Sequence, residues 1–485
     1  MRGRPPVRPV AVLVAAVLAL SSCSGTGSRV EQRNGAAGTR PNIVFVLTDD
    51  LAPNLVPYMP QVKRMRGQGM TFADYFVTDS LCCPSRATIL TGRYPHNTGV
   101  FTNQGRDGGY ATFNARGNQR DTFATALQKT GYRTAMMGKY MNGYQPADPV
   151  QPGWSEWAVA GDGYRGYDYT LNENGRQVRY GSRPEDYMTD VLARKGTDFI
   201  RRSAAAGQPF MLEIATFAPH GPFTPAPRDK DAFPGLKAPR TPAFNEADLS
   251  DKPAWLKDHP KLKPRQIQRI DRVFRKRAQS VQAVDDLLAR VQATLKATGT
   301  DRDTYVVFTS DNGFHLGEHR LMSGKQTAFD TDVRVPLVVT GPGVPAGRTH
   351  RGLTQNTDLC PTFQQLGGAP IPASVDGRSL VPVLKGGALS PPRGGVLIEH
   401  HGPDNAAADP DRQAPASGNP PSYEAIRTPN ELYVEYAGGQ REYYDITTDP
   451  HQLTNTVGSL PPARLKELQK RLHDLEKCKG GTCRR

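Results

Sequence analysis

The chain reads as an α/β protein with a large, mostly parallel central sheet flanked by helices. Three observations predict this. The continuous apolar run Ile43–Leu47 suits a strand buried on both faces of a parallel sheet, and Phe210–Ala215 and Tyr305–Thr309 read as further strands of that sheet. A helix-period segment precedes the last of them, with Phe274, Ala278, Val281, Val284, Leu288, Val291 and Leu295 at three- and four-residue spacing. Four strands end in polar residues: Asp49 and Asp50, Lys139, His220, and Asp311 with Asn312. Ligands of open α/β sheets bind outside the carboxyl ends of the strands, so four such endings point to one shared site.

The 485 residues leave room for two or three domain-sized units and a sizeable core. With 37% hydrophobic and 22% charged residues the chain is globular, not disordered. A formal net charge of +14 favours anionic substrates or surfaces. No run of Lys and Arg interleaved with aromatics marks a nucleic-acid site, so the excess reads as a solvated basic exterior.

In chain order, residues 1–23 form a targeting segment. Arg2, Arg4 and Arg8 make a basic start, and Val10–Leu20 is an apolar run too short to span a bilayer. The protein is therefore exported. Leu20-Ser21-Ser22-Cys23 resembles the lipobox of bacterial lipoproteins, which implies cleavage before Cys23, its acylation, and anchorage on the outer face of the cell membrane. An ordinary secretory peptide cut near Ser22–Ser24 is the alternative. Residues 24–40, rich in Gly, Ser and Thr, form a flexible linker.

The main domain spans residues 41–385. After the first strand, Cys82-Cys83-Pro84-Ser85-Arg86 opens a short helix that closes at Gly92. Pro84 suits the first helical position and Gly92 the position just past the end. Cys82 then lies ahead of a helix N-terminus, which favours an anion, with Arg86 one turn on. A helix follows over 121–130 and a second strand over 134–137. Residues 143–183 show no periodicity and read as loops shaping a cleft, and residues 225–268 as an excursion from the core. The run Val335–Val339 follows Lys325. Residues 386–485 form a small α+β subdomain: a long loop to 422, a hairpin of 431–436 and 442–446, and a final helix over 461–477. Cys478 and Cys483 are a local disulfide pair in an exported chain, and Cys360 is a buried small hydrophobe.

Asp49, Asp50, Asp311 and Asn312 offer only oxygen ligands, which suits Ca²⁺ or Mg²⁺ and not Zn²⁺. Arg86, Lys139 and Lys325 supply cations against transferring negative charge, and His220 has the chemistry of a proton donor.

Cys82-Cys83-Pro84-Ser85-Arg86 resembles the C-x-P-S-R signature of the type I sulfatases, and the likeness extends through Thr91-Gly92-Arg93-Tyr94-Pro95-His96. Further matches are Pro41-Asn42-Ile43, Gly138-Lys139-Tyr140, Ala218-Pro219-His220, Ser310-Asp311-Asn312-Gly313 and Asp449-Pro450. The frame selects Cys82, since counting from Cys83 requires proline at 85, where Ser85 stands. The resemblance implies an alkaline-phosphatase-like sandwich and a sulfuric ester hydrolase acting through formylglycine, made from Cys82 by a separate formylglycine-generating enzyme. It implies that one hydroxyl of the aldehyde hydrate attacks sulfur and that the second drives release of sulfate. It further implies Asp49, Asp50, Cys82, Asp311 and Asn312 as ligands of a calcium or magnesium ion. Arg86 would then hold the formylglycine hydroxyl, Lys139 and Lys325 the sulfate oxygens, and His220 the proton for the leaving group.

Where many arylsulfatases carry a histidine two residues after the first lysine, this chain has Met141, with Asn142 beside it. His315 and His319 stand close to the metal pair in sequence and serve either substrate contact or structure. Local motifs resemble N-acetylglucosamine-6-sulfatases, and the tail resembles secreted arylsulfatases. The substrate is thus an aryl sulfate or an N-acetylglucosamine-6-sulfate. The alternative is a phosphonate or phosphate monoester hydrolase, because related enzymes share the formylglycine motif.

Overall fold

The first apolar run forms β1 (Asn42–Thr48), which lies at the middle of a ten-stranded sheet. The structure is a computed structural model and describes residues 40–404, 407, 409 and 411–484, with 1, 3, 5 and 6. Most of the targeting segment, Cys23 and most of the linker lie outside the described residues.

The remaining strands of the sheet are β2 (Met70–Phe72), β3 (Arg133–Lys139), β4 (Glu156–Ala160), β5 (Tyr169–Glu173), β6 (Arg176–Tyr180), β7 (Phe210–Ala215), β8 (Thr304–Ser310), β9 (Leu337–Thr340) and β10 (Arg348–His350). Their order is β10-β2-β9-β8-β1-β7-β3-β4-β5-β6. The central five, β8 to β4, are mutually parallel, and antiparallel pairs flank them. Alternation along β1 sends Ile43, Phe45 and Leu47 into one core and Val44 and Val46 into the other. Helices α1 (Pro60–Gln68), α4 (Met188–Ala205) and α5 (Pro264–Ala297) cover the second face. Helices α2 (Cys82–Thr91), α3 (Phe123–Lys129) and α6 (Leu359–Leu366) cover the first.

Four expectations need correction. Residues 143–183 are not all loop: they supply β4, β5 and β6. The β5–β6 hairpin turns at Asn174-Gly175, both at positive φ (53° and 92°), the pairing that a two-residue hairpin turn demands. Helix α5 begins at Pro264, ten residues before Phe274, because Ile267 and Ile270 continue the apolar stripe. Helix α2 begins at Cys82, so Cys82 is its first residue and not a residue ahead of it; Gly92 ends it at φ 70°.

Beyond residue 386 the stretch read as a long loop contains β11 (Val396–His400). It pairs with β12 (Tyr423–Arg427), β13 (Glu431–Tyr436) and β14 (Arg441–Asp445) in a four-stranded antiparallel sheet, against which α7 (Pro462–Glu476) packs. The Asp330 carboxylate receives Arg427 at 2.9 and 3.1 Å, joining this sheet to the short helical turn Asp330–Val333 between β8 and β9. Cys478 and Cys483 are disulfide-bonded, and Cys360 is buried.

One buried acid gives the core a pH signature. Glu213 on β7 is 3% exposed, and its Oε2 has no hydrogen-bond partner. Burial pushes its pKa from 4.5 up to about 8, against the opposing pull of Arg86. The native state therefore keeps a proton that the unfolded chain loses. This contribution is fully present below pH 4.5 and declines as pH rises toward 8, by at most about 1.4 kcal/mol per unit. Glu213→Gln is expected to flatten that slope in denaturant titrations between those limits. An unchanged slope would refute the assignment.

Candidate active site

The carboxyl ends of four adjacent parallel strands, β8, β1, β7 and β3, deliver the site. Asp49 and Asp50 follow β1, and Asp311 and Asn312 follow β8 one strand away. Asp50 adopts φ 64°, a left-handed conformation that aspartate tolerates better than most residues. The backbone N–H groups of Asp50 and Asn312 donate to Asp311 Oδ1 at 3.1 and 2.8 Å, locking the two strand ends together.

Ligand atoms of Asp49, Asp50, Cys82 and Asp311 all lie within 4.8 Å of one another, and all four residues are buried. The Asn312 amide donates from Nδ2 to Asp50 Oδ1 (2.7 Å) and to the Gly313 carbonyl (2.9 Å). Its Oδ1 is left buried with no hydrogen-bond partner. An orphaned oxygen beside three carboxylates is an acceptor that a hard cation would satisfy, so the residues present fit a Ca²⁺ or Mg²⁺ ion.

Cys82 Sγ lies 3.2 Å from Asp49 Oδ1, and the ammonium groups of Lys139 and Lys325 donate to it at 3.2 and 3.1 Å. Lys139 also contacts Asp49 Oδ2 at 2.7 Å, and Lys325 contacts Asp50 Oδ1 at 2.6 Å. Arg86 lies four residues after Cys82, on the same helical face. Its Nε and Nη2 both reach Asp311 Oδ2 at 2.9 Å, and Nη1 donates to the Lys139 carbonyl at 2.8 Å. His220, in the loop after β7, bonds Gly221 O through Nδ1 at 2.8 Å, which leaves Nε2 facing the cluster, 3.7 Å from Asp50.

The charges explain the electrostatics. Burial raises the Asp311 carboxyl, but Arg86, Lys139 and Lys325 outweigh it and hold it at about 2. Asp49 moves up through burial, which Lys139 opposes and Asp311 reinforces. Burial pulls His220 down, while Asp411, Asp50 and Asp49 lift it to about 9. The Cys82 thiol is pushed well above its usual range by burial, then by Asp411 and Asp49, so the unmodified side chain is held as a thiol.

All nine candidate residues meet in this cluster, whereas the two histidines of open role do not join it. His315 bonds Asp332 at 2.9 Å and the Ser417 carbonyl at 2.9 Å; His319 bonds Glu246 at 2.6 Å and stacks on Phe329. Both are structural. Met141 is buried in the apolar core, and Asn142 Nδ2 turns toward Tyr164 OH and Asp411 Oδ2. Cys83 receives the Asn142 N–H at 3.1 Å and faces the core.

Sequence reasoning missed three contributors. Asp411 enters from the stretch between β11 and β12: its Oδ1 lies 2.5 Å from His220 Nε2 and 2.8 Å from Lys325 Nζ, and its Oδ2 accepts from Asn103 at 2.8 Å. Nothing in a Pro-, Gly- and Asp-rich stretch signals that contact. The ring of Tyr164 stands 5.0 Å from Lys139 Nζ and 4.6 Å from the His220 ring. Arg277 on α5 donates to the carbonyls of Asp50 and Pro219. Its signal was legible: an arginine three residues after Phe274 and next to Ala278 falls on the buried stripe.

A cavity of about 560 Å³ with a mixed polar and apolar lining adjoins the cluster, bounded by Asn103, Gln104, Tyr110, Asn142, Gln145 and Tyr164 among others.

Comparison with known proteins matches residues 41–369 to the family described as sulfatase. Residues 317–478 match the C-terminal family described as N-sulphoglucosamine sulphohydrolase. The human N-acetylglucosamine-6-sulfatase is 35% identical, over all of this chain and 92% of its own length. An arylsulfatase of Volvox carteri is 31% identical over 92% of this chain and 76% of its own. A solved structure in complex with its substrate D-glucosamine-2-N,6-O-disulfate superposes with a TM-score of 0.74 at 24% identity, covering 90% of this chain and 98% of that one, and so shares the fold. A match across two-thirds of the chain, with relatives aligned over nearly its whole length, decides the family: the chain belongs to the sulfatases.

Proposed function

We propose that the chain hydrolyses a sulfate monoester of a sugar, of the N-acetylglucosamine-6-sulfate type, using formylglycine at position 82 and a bound Ca²⁺ or Mg²⁺. The observation that carries this reading is the convergence of Cys82 with Arg86, Lys139, His220 and Lys325 above the oxygen set of Asp49, Asp50, Asp311 and Asn312. When present, formylglycine supplies a hydrated aldehyde as oxygen nucleophile, and the cation supplies charge against the sulfate oxygens.

The chain's own residues do the rest. Lys139 and Lys325 flank position 82 and hold the anionic oxygens of the ester. Arg86, anchored on Asp311, orients the side chain at 82. His220 has Nδ1 fixed on a carbonyl and gives a proton from Nε2 to the departing alcohol oxygen. Asp411 Oδ1 occupies the same two donors, His220 Nε2 and Lys325 Nζ, so a sulfate oxygen reaching them displaces it. The adjoining cavity brings the amides of Asn103, Gln104, Asn142 and Gln145 to one wall, which offers hydrogen-bond partners to a hydroxyl-rich leaving group. The names of the human relative and of the substrate in the solved structure point the same way.

The boundaries we propose are a lipoprotein-type segment (1–23), a linker (24–40), a catalytic domain (41–385) and a C-terminal subdomain (386–485). The chain is exported and anchored through Cys23, and a formylglycine-generating enzyme matures it. Among the described residues no helix is long and apolar enough to cross a membrane.

Hydrolysis of 4-nitrophenyl sulfate beside the matching phosphonate and phosphate tests the reaction class. The sulfate is expected to dominate kcat/KM. Dominant phosphonate turnover would replace the sulfatase reading with the phosphonate one. Release of sulfate from N-acetylglucosamine-6-sulfate, compared with 4-nitrophenyl sulfate, then tests the leaving group.

A further inference from the structure

The basic excess is not spread evenly. Along the N-terminal half of α5, Arg265, Arg269, Arg272 and Lys276 are exposed, at spacings of four, three and four residues. At 3.6 residues per turn they fall within an arc of about 60° and run for about 16 Å. Exposed Lys261 and Lys263 continue the line ahead of Pro264. None of these six pairs with a carboxylate among the described residues. The nearby Asp271 is buried and committed to Arg240 at 2.6 Å.

This arrangement works against the helix that carries it. Like charges at three- and four-residue spacing repel. Cations in the first turn oppose the positive end of the helix dipole, and no acidic residue stands there to offset them. A row that breaks local rules with no compensation among the described residues marks a surface that an external anion completes.

We propose that this stripe docks a linear sulfated polysaccharide. Arginine forks suit sulfate oxygens, and a straight row of single charges suits a chain that carries anions along its length. The stripe lacks what other polyanions require. Its exposed face has no apolar side chains to enter a membrane, since Ile270, Phe274, Ala278 and Val281 are spent in the core. It has no exposed aromatics on which bases could stack. Lys276 points outward about 100° round the helix from the buried Arg277, which braces the carbonyls of Asp50 and Pro219, so the stripe and the catalytic cluster are served by different faces of one helix. The choice of a sulfated polyanion rests on the sulfate-ester reading of that cluster; the docking itself does not.

The test uses the full chain and the variant Arg265→Gln/Arg269→Gln/Arg272→Gln/Lys276→Gln, whose substitutions are all at exposed positions. Dextran sulfate, uncharged dextran and phosphatidylserine vesicles are the probes. The unaltered chain is expected to bind dextran sulfate with strong salt dependence and to ignore dextran. The variant should bind on the order of tenfold more weakly with a shallower salt slope, while its kcat/KM on 4-nitrophenyl sulfate is unchanged. Equal affinity of the two proteins for dextran sulfate would overturn the proposal. So would tighter binding to the vesicles than to dextran sulfate, which would make the stripe a membrane contact. Absence of sulfate release from both 4-nitrophenyl sulfate and N-acetylglucosamine-6-sulfate by the unaltered chain would defeat the catalytic reading and leave the binding result to decide the stripe.

Discussion

Cys82→Ala is expected to abolish turnover of 4-nitrophenyl sulfate, lowering kcat by roughly 10⁴-fold or more, while the protein stays folded. The side chain is fully buried at the first position of α2 and touches charged groups, not the apolar core, so its loss costs about 1 kcal/mol of stability. Cys82→Ser separates the two chemistries open to this position. A serine hydroxyl can accept sulfate but has no second hydroxyl to expel it, so at most one turnover per chain is expected. Steady-state rates with a burst measurement distinguish these outcomes. Sustained turnover by the alanine variant would remove Cys82 from the mechanism. Mass spectrometry of the Cys82 peptide from active protein provides the matching chemical test, because formylglycine is lighter than cysteine; finding only thiol would sink the maturation step.

The second large effect is expected at Asp311. Its carboxylate takes both Arg86 contacts at 2.9 Å and two backbone N–H groups, and lies within the oxygen set that fits a cation. Asp311→Ala would strand a buried guanidinium at a cost of about 3–5 kcal/mol, which confuses folding with function. Asp311→Asn keeps the shape and removes the charge. It is expected to lose the divalent cation on dialysis and to lower kcat by about 10³-fold, with a smaller fall in the thermal midpoint in chelator than Asp311→Ala shows. Elemental analysis and kinetics on the same sample read both. A variant that keeps its full cation content yet loses activity would overturn the ligand assignment.

Sulfatase family membership bears on how these results combine. Cys82, Arg86, Asp311 and the two lysines share contacts, so their substitutions are expected to be non-additive.

Much of this was legible in one dimension, because the relevant signals are local. Strands buried on both faces are largely apolar, and Ile43–Leu47, Tyr305–Thr309 and, around its single acid Glu213, Phe210–Ala215 announce themselves that way. Polar residues directly after such runs locate the carboxyl edge of a parallel sheet, and that edge is where the cluster stands. Weak local signals were misread. The β5–β6 hairpin rests on one Asn-Gly turn within a Gly- and Tyr-rich stretch, and the start of α5 hides among Pro, Lys and Asp.

By itself the sequence determined the fold class, the family signature and the residue types of the site, since each is written in adjacent residues or in a fixed period. Tertiary structure alone decided which charges meet. Asp411 reaches His220 across 191 positions, and Arg277 turns inward to the Asp50 carbonyl while Lys276 beside it joins an exposed outer row. Coulomb and hydrogen-bond energies depend on distance in space and on burial, and neither is encoded by separation along the chain.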